Sequence, residues 1–238
     1  MRAFVDLHCH TNASFDCLSA PKAVVRAAAD RGLTHLAITD HDRIDGALEA
    51  RELAPAGLTV LIGEEVNTSD GDLICVFLER AIPPGLSAEE TILAAREQGA
   101  LVGIPHPFDR LRGSLLREAR MAALGASVDW VETHNARVMG GGNEQAAVYA
   151  REHRLPGVAV SDAHSILEVG VAYTSLEGDP STAAGLKAAL AGVQIVPGRA
   201  SLFVRAWTPV AKVVQRARGN RRVRPMTGPA AGDQGKPL

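Results

Sequence analysis

Short aliphatic runs alternate with amphipathic stretches along most of the chain. Runs rich in Val, Leu, Ile and Ala predict strands over 3–8, 34–39, 58–64, 72–78, 101–105, 128–133, 157–161 and 170–175. Amphipathic stretches between them predict helices over 20–31, 44–54, 87–98, 114–124, 143–153 and 181–191. Several boundaries carry their own chemistry. Ser19 can cap a helix that has Pro21 in its first turn and Gly32 past its end. Ser87 with Glu90 has the spacing of a capping box, and Gly99 closes that helix. From Thr208, TPVAKVVQRARG predicts one last short helix.

Repeated strand–helix alternation implies an α/β fold with a mainly parallel sheet covered by helices. The strands are short and about seven in number, which favours a closed or nearly closed barrel over an open sheet. No internal repeat is visible. The expected organisation is a barrel domain over 1–204 and a short basic helix over 205–218. A disordered tail, rich in Gly, Pro and Arg, is expected over 219–238.

What stands where the strands finish changes the picture from fold to chemistry. FVDLHCH ends in His8 and His10, LAITDH in Asp40 and His41, and VLIGEE in Glu64 and Glu65. LVGIPH ends in His106, VDWVETH in His134, and VAVSDAH in Asp162 and His164. A lone histidine at a strand end is more often structural than a ligand; six such endings are a pattern. In a parallel barrel these ends meet at one face, so residues spread over the sequence would converge. Strand alternation points His8 and His10 the same way and turns Cys9 away, and Asp162 with His164 repeats the spacing. Imidazole and carboxylate together suit Zn²⁺, Mn²⁺ or Fe²⁺. Glu64 and Glu65 lie on opposite strand faces, so one of the two points inward. His35 and His153 fall outside the pattern and read as surface or satisfied core residues.

Composition narrows the setting. Of 238 residues, 46% are hydrophobic but only 4% aromatic, so the core must be aliphatic. No apolar run is long enough for a spanning helix, and MRAFVDLHCH turns polar too soon for a secretory signal. Cys9, Cys17 and Cys75 make no disulfide framework and read as buried thiols, which points to the cytoplasm. The net charge of −2 divides into −9 over 1–204 and +7 over 205–238. An acidic body argues against broad nucleic-acid binding, while the basic tail leaves an anionic partner, nucleic acid included, open. The oligomeric state is not legible.

DLHCH (6–10), Ser14 to Asp16, ITDH (38–41), GEE (63–65), PHP (105–107) and SDAH (161–164) together resemble the PHP superfamily, the polymerase and histidinol phosphatase domain. The motifs run in the family's order and span residues 1 to about 200. The resemblance implies a distorted (β/α)7 barrel whose C-terminal strand ends hold two or three divalent ions. It places His8, His10, Glu65 and Asp162 around one ion and Asp16, His41 and His164 around another, with Glu65 bridging towards an ion bound by His106. It thus selects Glu65 over Glu64, and raises Asp16, an ordinary loop aspartate otherwise, to a ligand. One position departs from the pattern: Ile74 stands where many members carry a histidine beside the His106 ion. That ion is then absent, takes waters, or recruits His134.

The activity so implied is metal-dependent phosphoester hydrolysis by an activated water, with Glu65 and His164 as catalytic groups. The leaving oxygen would take its proton from His164 or from water. Arg110, Arg112, Asn135 and Arg137 follow strand ends and could clamp the substrate phosphate. GGG at 140–142 lacks the Lys-Ser/Thr of a P-loop and reads as a plain loop. About 40 residues separate Glu65 from His106, leaving little room for a lid and favouring a small phosphomonoester. A metal-dependent nuclease using the basic tail is the first rival, and a silent metal-binding scaffold the second. An amidohydrolase is disfavoured, since no lysine occurs between Lys22 and Lys187 to serve as a ligand.

Overall fold

The computed structural model describes residues 1–109, 116 and 118–222. Its strands are β1 (Arg2–Asp6), β2 (His35–Ile38), β3 (Thr59–Asn67), β4 (Asp72–Val76), β5 (Leu101–Ile104), β6 (Trp130–Asn135), β7 (Gly157–Val160), β8 (Tyr173–Glu177) and β9 (Gln194–Val196). The helices are α1 (Pro21–Asp30), α2 (Asp45–Leu53), α3 (Ala88–Arg96), α4 (Glu118–Leu124), α5 (Gly142–Glu152), α6 (Ala183–Ala189), α7 (Leu202–Arg205) and α8 (Trp207–Ala217).

The strands form one sheet in the order β7-β6-β5-β4-β3-β2-β1-β8-β9. The β1–β2, β2–β3, β5–β6 and β6–β7 pairs are parallel. β4 departs from the expected direction: only four residues join it to β3, so it folds back as a hairpin and runs antiparallel to both neighbours. β8 is likewise antiparallel to β1, and begins three residues later than the strand expected over 170–175. The two flanks of the sheet are drawn together. Thr174 Oγ1 on β8 accepts from the Ala159 amide and donates to its carbonyl, both at 2.9 Å. Beyond the strand ends the Asp162 amide donates to His8 O and the His10 amide to Ala163 O, also at 2.9 Å. The sheet therefore nearly closes into a barrel, with β7 returning to β1.

Alternation along the strands divides the apolar residues into two buried groups. Val5, Leu7, Ala37, Leu61, Ile74, Leu101, Trp130, Val158 and Val160 fill the interior, while Leu36, Ile38, Val60, Ile62, Val102 and Ile104 face the helices. Trp130 is fully buried, and only a glycine at 103 makes room for it: a Cβ there would lie 2.1 Å from the indole. Each such fully buried apolar side chain stabilises the fold by about 1.5–3 kcal/mol.

Helix boundaries follow local chemistry in part. Ser87 and Glu90 form the reciprocal capping box. Ser19 does not cap α1; Ala20 occupies that place without a side-chain bond, and Pro21 alone starts the helix. Gly140 and Gly141 take left-handed backbone on the way into α5. The three cysteines are buried and unpaired. Among the described residues no helix is long and apolar enough to cross a membrane. Of the expected tail, 223–238 lies outside the described residues.

Candidate metal centre

Four loops and one strand carry the site. Past the end of β1, Cys9 pairs with Ala163 and turns outward, leaving His8 and His10 on the inner side. His41 follows β2 and bridges to Glu65, which alternation within β3 points inward with Leu61. Glu64 faces the other way, where its Oε2 accepts from the Ile82 amide at 2.8 Å and burial pushes its pKa up to about 8. His106 and Asp162 sit just beyond β5 and β7 with φ of 29° and 51°. Such left-handed backbone costs about 1–3 kcal/mol per residue and is typical of functional loops.

His8, His10, Asp16, His41, Glu65, His106, Asp162 and His164 are all buried and come together at one mouth of the barrel. Glu65 is the hub. Its Oε2 lies 3.3 Å from His8 Nε2, 3.4 Å from His10 Nε2 and 3.2 Å from His41 Nδ1, and its Oε1 lies 2.9 Å from His106 Nε2. Asp162 Oδ1 stands 3.6 Å from both His8 Nε2 and His10 Nε2. Asp16 Oδ2 stands 3.5 Å from His41 Nε2 and 3.4 Å from His164 Nε2. Donor atoms thus gather in three overlapping sets, each within 4.8 Å: His8, His10 and Asp162; His10, His41 and His164; His8, Glu65 and His106.

The donors fit divalent cations. Asp16 Oδ1 and His106 Nδ1 are buried without a hydrogen-bond partner, an arrangement that is costly unless something polar or charged meets them. Outer residues hold the inner ones by hydrogen bonds of the kind that orient metal ligands. Glu132 Oε1 is 2.7 Å from His8 Nδ1, while its Oε2 accepts from the His106 amide at 2.7 Å and from Asn135 Nδ2 at 2.9 Å. Ser14 Oγ is 3.0 Å from His10 Nδ1, accepts from the His41 amide at 3.1 Å and donates to Asp40 at 2.9 Å.

Opposed charges dominate the electrostatics. Burial works against ionisation of Glu65, but His41 and His8 and the His106 hydrogen bond hold its pKa well below the carboxylate range. Asp16 is also held low, with His164 and His41 overcoming burial. Burial opposes the charged form of His41, yet Glu65 and Asp16 raise it to about 9. His8 is raised well above the usual value as Glu132, Asp162 and Glu65 outweigh burial. Burial lowers His10, and lowers His164 to about 3. Carboxylates here attract positive charge, which a metal ion would supply in place of protons.

Other expected residues stand elsewhere. Between Glu132 and His134 the β6–β7 register shifts, so Glu132 faces the cluster and His134 turns away. His134 Nε2 instead lies 2.8 Å from Gly198 O. Ile74 is buried directly opposite Glu65 on β4 and offers no donor. Asn135 is buried between Glu132 and Asp162, donating to the latter at 3.1 Å. Arg137 is buried too, with Nη1 2.8 Å from Glu168 Oε1 and Nη2 2.7 Å from Thr208 Oγ1. Glu168 in turn accepts from the His164 amide at 3.0 Å, so that carboxylate links Arg137 to the cluster. Arg110 and Arg112 lie outside the described residues. Glu132 was not anticipated, although its spacing from Trp130 carried the signal: both take inward positions of one strand.

Two family models together match most of the chain. The model of the PHP domain family matches residues 6–136, and that of the PHP-associated family matches 140–192. An uncharacterised protein of Methanocaldococcus jannaschii is 33% identical over 173 residues, covering 71% of this chain and 68% of the relative. Among solved structures, a two-domain protein of Bacteroides vulgatus containing a predicted PHP-like metal-dependent phosphoesterase superposes with a TM-score of 0.70 at 19% identity. That match covers 83% of this chain but 65% of the other, so this chain spans less than two thirds of it. A lesion-specific endonuclease of Pyrococcus furiosus gives a TM-score of 0.63 at 19% identity, covering 82% and 58%. At these identities the structural likeness is one of fold.

Proposed function

Because the chain belongs to the PHP domain family, we propose that it is a metal-dependent phosphoesterase that hydrolyses a small phosphomonoester. The observation that carries this reading is the convergence of three overlapping donor sets at one barrel mouth, sharing His8 and His10 and joined through Glu65. Two or three ions of Mn, Zn or Fe held there would activate a water and neutralise the phosphoryl oxygens. In this assignment His8, His10, Glu65 and Asp162 hold one ion and Asp16, His41 and His164 another. His106 and Glu65 offer a third, more sparsely donated place, because Ile74 and His134 give it nothing.

The protein's own residues do the rest. Glu65, with oxygens facing two histidine groups, fixes the spacing of the donors. Glu132 and Ser14 set the ring orientations of His8 and His10. In this reading the leaving oxygen takes its proton from water, because burial holds His164, itself a donor to the second ion beside Asp16, in its neutral form. Protein reconstituted with Mn²⁺ should release phosphate from members of a phosphomonoester panel and leave oligonucleotides and cyclic nucleotides intact.

A nuclease is the second reading, favoured by the endonuclease among the structural neighbours and by the basic face of α8 and the residues after it. Cleavage of single-stranded oligonucleotides without monoester turnover in the same panel would select it.

A further inference from the structure

The segment 207–222 lies beyond both family matches, which end at 136 and 192. It nevertheless packs against the loop that carries Phe15 and Asp16. Gln215, buried on α8, sets its Nε2 2.7 Å from Asn12 O, 3.0 Å from Ser14 O and 2.6 Å from Cys17 O. Asn220 Nδ2 lies 3.3, 2.9 and 3.3 Å from the carbonyls of Asn12, Ala13 and Ser14. Loop carbonyls with no ladder partner need donors from elsewhere, and here these two amides supply them together with Arg43 Nη1, which donates to Ala13 O at 3.1 Å.

Two cations come with these amides. Lys212 Nζ lies 5.5 Å from the Phe15 ring centre and Arg222 Cζ 5.7 Å from it, and Phe15 itself packs on His41 at 4.9 Å. Their surroundings differ. Arg222 Nη2 is 3.0 Å from Asp72 Oδ1 and its Nε 3.5 Å from Asp42 Oδ2, so two carboxylates meet its charge. Lys212 Nζ is 3.9 Å from Asp16 Oδ2, beyond hydrogen-bond range, and its side chain is 52% exposed. An ammonium so placed can turn its hydrogens to an anion entering over Asp16.

We propose that this C-terminal segment completes the site, with Lys212 binding the phosphate of the substrate and Arg222 a positioning residue that anchors the segment beside Phe15. The proposal rests on the phosphoesterase reading and adds a ligand class: a terminal, dianionic phosphate, which gains more from a point charge than a diester does.

Calorimetric titration of full-length, Mn²⁺-loaded protein with inorganic phosphate tests it. Lys212→Ala and the shape-conserving Lys212→Met should each weaken phosphate by about tenfold, the loss of one charge-assisted contact, while Lys212→Arg stays near the original protein. Metal content and melting temperature should be unchanged in all three. Arg216→Ala, which removes an exposed charge from the same helix, should bind phosphate normally. Equal affinity in Lys212→Ala, equal weakening in Arg216→Ala, or no phosphate binding by the original protein would overturn the proposal. Failure of the phosphoesterase reading appears separately, as absence of monoester turnover in a protein whose phosphate affinity still depends on Lys212.

Discussion

Glu132 and His134 sit two residues apart on one strand, yet only Glu132 meets the cluster. Regular alternation places both on the same face; the bulge between them sends His134 to Gly198 O. Sequence patterns do not announce a bulge, because its cause is pairing with a distant strand. Aspartates and histidines at strand ends were legible because chemistry and position coincide, whereas a glutamate inside VDWVETH is marked only by its two-residue spacing from Trp130. Its three hydrogen bonds give a clear expectation. Glu132→Gln should weaken Mn²⁺ binding by about 10–100-fold while far-UV dichroism stays unchanged. His8→Ala and Asp162→Ala should abolish phosphoester turnover with the fold retained, and full activity in either would contradict their assignment as ligands. Gly103→Ala acts on stability instead. Its methyl would collide with Trp130, costing about 1–3 kcal/mol in a urea-unfolding measurement.

Among elements, those with local signals were readable: the Ser87 capping box, the Pro21 start of α1 and the aliphatic strands all appear near their expected places. The reversal of β4 was not, since its direction follows from the four-residue turn after β3 rather than from its own composition. Ser87→Ala should cost about 1 kcal/mol, or about 2–4 °C in melting temperature. At the start of β2, burial lowers the pKa of His35, with Asp179 opposing, while Ser181 Oγ and Thr34 Oγ1 bond its ring at 2.9 Å. The native state then binds fewer protons than the unfolded chain, so this residue's contribution is present above the unfolded value of about 6.5 and is lost as pH falls through the lower native one. Comparing urea midpoints of the original protein and His35→Gln at pH 5 and 7.5 should show a smaller acid-side loss in the variant; identical losses would rule the effect out.

At the scale of the molecule, barrel closure turns residues 156 positions apart into neighbours, as with His8 and His164 on either side of His10. That much followed from strand–helix alternation, because a parallel sheet gathers its C-terminal ends. The part played by the C-terminal segment did not, because Gln215 and Asn220 look in sequence like ordinary surface amides and bind only backbone carbonyls. A basic tail that merely held nucleic acid could be deleted without harm to small substrates. With Gln215 and Asn220 holding the Asp16 loop, deletion of 205–238 should instead depress phosphomonoester turnover as well. Anomalous diffraction from Mn²⁺-soaked crystals, recorded at the manganese edge, addresses the cluster itself. At least two peaks should appear among His8, His10, His41, Glu65, Asp162 and His164; full-occupancy soaks that leave this mouth without a peak would contradict the account.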